Sequence, residues 1–149
     1  MRQGLAARAT ELGIGDQVCF DGYRSDVAKI LGEADVALLP SMAEGLSNSL
    51  LEYMSAGLPS IVSRVSGSED LIRHRENGWV CEPGDRSTLI NCLLDAASAN
   101  RDQRRAMGRL ARATVEAHSG RNSVIDRLLP LYRGDEESST VMRTNAQET

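Results

Sequence analysis

Aromatic side chains are scarce. The chain has one Trp, one Phe and three Tyr, 3% of 149 residues, so any core must be aliphatic, built from Leu, Ile, Val and Ala. Cysteine is scarce as well. Cys19, Cys81 and Cys92 form no C-x-x-C pair, and three is an odd number, which gives no complete disulfide framework and suits reduced thiols in a cytoplasmic protein. No apolar run approaches the roughly 18–20 residues that span a membrane. The first residues, Met1-Arg2-Gln3-Gly4, carry no signal-peptide core. Excess positive charge is also lacking. The net charge of -4 weighs against nucleic acid as a partner, because phosphate backbones need a basic face. Neither His74 nor His118 has a metal-ligand companion at a useful spacing, so no metal is expected.

The residues that are present suit one soluble domain, with 41% hydrophobic and 26% charged. No repeat of fixed period occurs. Short apolar strands alternate with helical patterns instead. Leu5 to Leu12 reads as a helix stopped by Gly13 and Gly15, and Val18-Cys19-Phe20 as a short strand. Asp26 has the place of an N-cap for a helix from Val27 to Glu33. Val36 to Leu39 is a continuous apolar run, the pattern of a strand buried on both faces, closed by Pro40. Ser47 to Ala56 is helical, with Leu50, Leu51 and Met54 as its stripe and Gly57 and Pro59 as its stop. Ser60 to Ser63 and Gly78 to Cys81 read as strands, with a short helix from Glu69 to Arg73 between them. Asp85 caps a helix whose apolar face is Leu89, Ile90, Leu93, Leu94 and Ala97. Arg101 to His118 is a basic helix with Met107, Leu110, Ala111 and Thr114 inward. Its run Arg101, Arg104, Arg105, Arg109 and Arg112 reads as a solvated face. A last helix runs from Ser123 to Tyr132, and the polar, acidic stretch 134–149 reads as a disordered tail. The folded domain is thus expected over residues 1–133.

Such alternation predicts an α/β fold: a Rossmann-like parallel sheet flanked by helices, with right-handed crossovers. Ligands in such sheets bind at the carboxyl ends of the strands. The loop Ser41 to Ser49 lies at such an end and runs into a helix. The first N–H groups of that helix lack internal partners, and its dipole adds positive potential. A phosphate or diphosphate binds there without Lys or Arg. Gly45 lets the main chain approach a ligand, while Ser47, Asn48 and Ser49 add small donors. Glu44 in the loop and Glu52 in the helix are eight apart, about 80° around a continuous helix, yet both reach a ligand lying across its front. A carboxylate there can accept two hydrogen bonds from vicinal hydroxyls. Ser49-x-x-Glu52 also has the spacing of a capping box, which would employ the same carboxylate in a structural role.

The stretch Pro40 to Pro59, PSMAEGLSNSLLEYMSAGLP, resembles the signature of the family-4 glycosyltransferases of GT-B fold. Val18-x-Phe20-x-Gly22 with Ser25-Asp26-Val27 and Ala34-Asp35-Val36 resembles the segment before it. Gly67 to Ile72, Glu76 to Val80 and Glu82-Pro83-Gly84-Asp85 resemble the segment after it. The resemblance implies the C-terminal, donor-binding half of a GT-B fold, incomplete at its N-terminal side. It implies a retaining, metal-independent transfer from a nucleotide-diphosphate sugar to a hydroxyl acceptor, as in polysaccharide biosynthesis. Glu44 would be the catalytic carboxylate beside the donor sugar, and Gly45, Leu46, Ser47 and Asn48 would meet the sugar and diphosphate. Glu52 would bind the ribose, and Arg24 would lie near the base. Leu46-Ser47 replaces the commoner aromatic-Gly pair of the family. The resemblance implies a Gly-rich turn and an Arg and Lys pair on first strands that would precede Met1, and an acceptor site on a missing N-terminal domain or partner chain. The chain alone is therefore expected to be inactive, in the cytoplasm, and compatible with a peripheral contact at the inner face of the membrane. Two rival readings are a non-catalytic nucleotide-binding or interaction module and a fragment of a sugar-nucleotide epimerase.

Overall fold

The computed structural model describes residues 2–45, 47–65 and 67–118. The expected helix from Ser123 to Tyr132 and the tail 134–149 lie outside these. Three parallel strands form the centre: β1 (Ala37–Leu39), β2 (Ser60–Ser63) and β3 (Gly78–Cys81), in the order β1-β2-β3. The registers Leu38↔Ile61↔Trp79 and Leu39↔Val62↔Val80 put equivalent residues side by side. Five α-helices accompany them: α1 (Arg2–Glu11), α2 (Val27–Glu33), α3 (Asn48–Ser55), α4 (Arg86–Ser98) and α5 (Arg101–His118). The expected parallel α/β architecture is therefore present.

Two hydrophobic clusters cover the sheet. One joins Leu50, Leu51 and Met54 of α3 to Val62, Leu71, Ile72 and, on α5, Ala111 and Val115. The other joins Ile61, Trp79 and Cys81 to Cys92 and Ala96 of α4. β2, the middle strand, is buried at all four positions, as a parallel strand between two layers must be. Helix α3 ends in a Schellman motif. Gly57 sits at φ 74°, with Gly57 N–H donating to Met54 O at 2.9 Å and Leu58 N–H to Tyr53 O at 3.0 Å. The turn then delivers Pro59 to the start of β2. Where α5 crosses this turn, Gly108 lies so close that an added Cβ would stand 1.9 Å from the Gly57 carbonyl oxygen.

Several expectations are corrected. Val18-Cys19-Phe20 is not a strand, because among the described residues no partner strand completes a ladder with it. β1 starts at Ala37 and is not buried on both faces: Leu38 is 44% exposed, because β1 lies at the sheet edge, past the reach of α4. The segment Glu69 to Arg73 contains turns rather than a helix. It closes with Leu71 and Ile72 N–H both donating to Ser68 O, at 3.2 and 2.8 Å. Asp26 precedes α2 but gives it no side-chain cap, since its carboxylate is bound by the Arg24 guanidinium at 2.8 and 2.7 Å. Asp85 does cap α4, accepting from Ser87 N–H at 2.8 Å and Thr88 N–H at 3.4 Å.

The expected inner face of α4 is mostly its outer one. Ile90, Leu93 and Leu94 are 43%, 41% and 63% exposed, whereas Cys92 and Ala96 are buried. Small side chains let the helix approach the bulky Trp79 indole in the same cluster. On α5, Leu110 is likewise 53% exposed, and Gly108, Ala111 and Val115 make the contact.

Candidate functional site

The carboxyl ends of β1 and β2 face the same loops. The chain leaves β1 at Leu39, passes Pro40 and Ser41, and reaches α3 through Glu44, Gly45 and Ser47. Ser47 is the N-cap in extended conformation, φ -80° and ψ 123°, and its side chain does not close the cap. The first intrahelical bond runs from Leu51 N–H to Ser47 O at 3.2 Å. The front of α3 therefore presents amides without a capping side chain, at the positive end of its dipole. This placement also settles the role of Ser49. The cap is Ser47, two residues earlier, so Ser49 and Glu52 lie inside α3 and form no capping box. Glu52 is half-buried in the second turn, and Glu44 is exposed in the loop.

Tyr53 reports that the two carboxylates share one neighbourhood. Burial pushes its phenol above the ordinary tyrosine range, and the charges of Glu52 and then Glu44 push it further. A hydrogen bond with Ser49 pulls in the opposite direction. The phenol thus stays protonated at neutral pH. Sequence reasoning missed Tyr53. Its one visible signal was its place four residues after Ser49, one helical turn on.

A second loop faces the first. After β2, the chain turns at Val65 and Ser68. These residues, with Leu39, Glu44, Gly45 and Ser47, line a crevice of about 10 Å³. That is about one water, so a sugar nucleotide must lie over this crevice rather than in it. Ser68 is 5% exposed. Its Oγ accepts from Val65 N–H at 3.2 Å and lies 2.7 Å from Val65 O and 2.8 Å from Ser63 O.

The other expected residues are placed as follows. Gly45 and Asn48 are exposed, and Ser47 is half-buried, all at the front of α3. Leu46 lies outside the described residues. Arg24 is exposed and bound to Asp26, and no described contact joins it to the α3 loop. His74 Nδ1 accepts from Val80 N–H at 3.0 Å, which makes it a brace for the start of β3. A larger cavity, an open groove of about 440 Å³ lined by Arg75, Trp79, Asp95 and Met107 among others, lies beside the amino end of β3. Its charges already neutralise one another, with Arg75 Nη2 2.6 Å from Asp95 Oδ2. The Ser98 hydroxyl in its lining is already spent on Asp95 O at 2.9 Å, and the groove lies away from the carboxyl ends of the strands, where ligands of such sheets bind, so the smaller crevice is the better site. Among the described residues no three His, Cys, Asp or Glu side chains are grouped to hold a metal ion.

A family model described as Glycosyl transferases group 1 matches residues 1–114. The chain belongs to the group 1 glycosyl transferases. Among curated relatives of this glycosyl transferase chain is N-acetyl-alpha-D-glucosaminyl L-malate synthase of Bacillus anthracis, 31% identical over 121 residues. That match covers 81% of the chain and 32% of the relative. Sucrose-phosphate synthase from Thermosynechococcus elongatus superposes with a TM-score of 0.73 at 26% identity, covering 89% of the chain and 33% of the synthase. HepE of Anabaena, solved in complex with UDP-glucose, superposes with a TM-score of 0.70 at 21% identity, covering 95% of the chain and 36% of HepE. The glycosyl transferase chain thus spans about a third of the length of these proteins. It has the parallel sheet and flanking helices of the corresponding part of GT-B enzymes.

Proposed function

We propose that this chain binds a nucleotide-diphosphate sugar across the front of α3 and presents it for transfer, with retention, to a hydroxyl acceptor. The observation that carries the reading is the front of α3 itself. Its amides lack a capping side chain, Glu44, Gly45 and Ser47 line one crevice with Val65 and Ser68, and this crevice lies at the carboxyl ends of parallel strands. The uncapped amides and the dipole meet the diphosphate. Glu44 accepts hydrogen bonds from the sugar hydroxyls beside the reacting carbon, and Glu52 accepts them from the ribose. Gly45, Leu46, Ser47 and Asn48 approach the sugar and diphosphate through the main chain. The amides stabilise the charge that grows on the departing diphosphate oxygen, and no metal enters this scheme. Family membership and the UDP-glucose bound by HepE support a sugar nucleotide as the ligand.

Arg24 has a second claim on it, the Asp26 carboxylate. In this reading it reaches a base only by releasing that partner. The acceptor is taken to be held by a further domain or partner chain, in the cytoplasm or at the inner face of a membrane. The test is a steady-state assay of the protein that joins this chain to an acceptor-binding part. Glu44→Ala is expected to lower kcat/KM at least about a hundredfold, as removal of one group acting in the transition state does. An unchanged kcat/KM with the true donor refutes the role of Glu44.

A further inference from the structure

Val65 and Ser68, after the end of β2, form the wall of the crevice that faces Glu44, Gly45 and Ser47. A turn has no ladder to hold it, so something else must fix its distance from the α3 loop. Hydrogen bonds from one buried hydroxyl do this. Ser68 Oγ spans from the end of β2, at Ser63 O, to both backbone groups of Val65. The main chain adds Ser68 N–H to Val65 O at 3.1 Å and Val65 N–H to Ser63 O at 2.9 Å. Ser68 O in turn accepts from Leu71 and Ile72 N–H, and these two side chains are part of the core beneath α3. One side chain thus ties the rigid strand end, the crevice wall and the core together.

The geometry points to Ser68 as a positioning residue of the donor site: its hydroxyl sets how far Val65 stands from Glu44, Gly45 and Ser47 across the crevice, and so sets affinity for the nucleotide diphosphate. This inference rests on the donor-site reading above. Ser68 lines the same crevice as Val65 and Glu44, but its hydroxyl is directed at Ser63 O and Val65 O, so it acts through the wall. The hydroxyl has one proton for two carbonyl oxygens. Removing it leaves Val65 N–H without its Oγ acceptor and withdraws a donor from Ser63 O and Val65 O. The wall is then free to drift by fractions of an ångström, enough to misplace a ligand spanning both loops.

Ser60 supplies the control. It is a serine at the other end of β2, fully buried, with Oγ donating to Leu58 O at 3.3 Å. The experiment is calorimetric titration of the chain with UDP, GDP and ADP, followed by melting of each variant. Ser68→Ala is expected to raise the Kd of whichever nucleotide binds by about fivefold or more, the scale of one lost hydrogen bond. Ser68→Thr, which keeps the hydroxyl, is expected to restore most of that loss. Ser60→Ala is expected to lower Tm while leaving Kd within twofold. Ser68→Cys, equal in shape and weaker as a donor, carries the same test if the alanine variant does not fold. An unchanged Kd in Ser68→Ala or Ser68→Cys overturns the positioning role, as does an equal rise in Ser60→Ala. Absence of binding to the unsubstituted chain overturns the donor-site reading itself, and this inference with it.

Discussion

Asp85 shows how one side chain fixes an element. Its carboxylate accepts from Ser87 Oγ, Ser87 N–H and Thr88 N–H, and these bonds hold its pKa below the ordinary 3.8. A carboxyl group whose folded pKa is depressed contributes stability above its unfolded pKa, and that contribution is lost as pH falls through the folded value. Asp85→Ala is therefore expected to lower Tm at pH 7. The gap between variant and parent should narrow steadily below about pH 4, and thermal melts across pH 2.5–7 (roughly the carboxylate range) read it. A gap that does not change with pH would show that the cap acts without its charge. Asp85 and the Gly57 stop were legible in the sequence because caps and left-handed glycines are local chemistry. The Arg24–Asp26 pair was not, because a side chain with two suitors leaves no pattern in the order of residues.

Helices α4 and α5 test the packing. In α4 the set Ile90, Leu93, Leu94 and Ala97 has helical periodicity, and so has the set Leu89, Cys92 and Ala96. Periodicity cannot choose between them. The choice comes from the partner, since the Trp79 side that α4 covers is already bulky and takes the small residues. Leu94→Gln is accordingly expected to change stability by no more than about 0.5 kcal/mol, as at other exposed positions. Val115→Ala, fully buried on α5, is expected to cost about 2 kcal/mol. Chemical denaturation gives both numbers, and a costly Leu94→Gln would mean that α4 is covered in solution. Gly108→Ala must move one of two backbones, because its Cβ would meet the Gly57 carbonyl. A loss of at least about 2 kcal/mol is expected. The strand at Val18 to Phe20 was misread for a different reason. A strand exists only with a neighbour, and pairing is not local. By contrast α3 and its loop were legible as a unit, since loop, apolar stripe and stop all fall within twenty residues, although the cap is Ser47 and not the Ser49-x-x-Glu52 pattern.

At the scale of the molecule, no described residue pairs with the outer edge of β1. Leu38 stands 44% exposed in register with Ile61 at 1% and Trp79 at 2%. A parallel sheet normally has both faces covered, and an unpaired edge is a template for another strand. The chain on its own is expected to associate as its concentration rises, and light scattering over a dilution series reads this. A monomer at all concentrations would show the edge to be protected. The loop before α3 does not depend on that edge for its main features. The front of α3 is set by Ser47, by the core under Leu50, Leu51 and Met54, and by the turn at Gly57.

The loop at Glu44 remains the centre of the account, and one measurement reaches it directly: titration calorimetry of the unsubstituted chain and of Glu52→Ala with a matched pair of ligands, a nucleoside diphosphate and its sugar conjugate. The account predicts saturable binding of both. It predicts a loss of at least about tenfold for both in Glu52→Ala, the scale of a charged hydrogen bond pair to ribose. Binding of neither ligand, or binding that ignores Glu52, would contradict the placement of a sugar nucleotide across the front of α3.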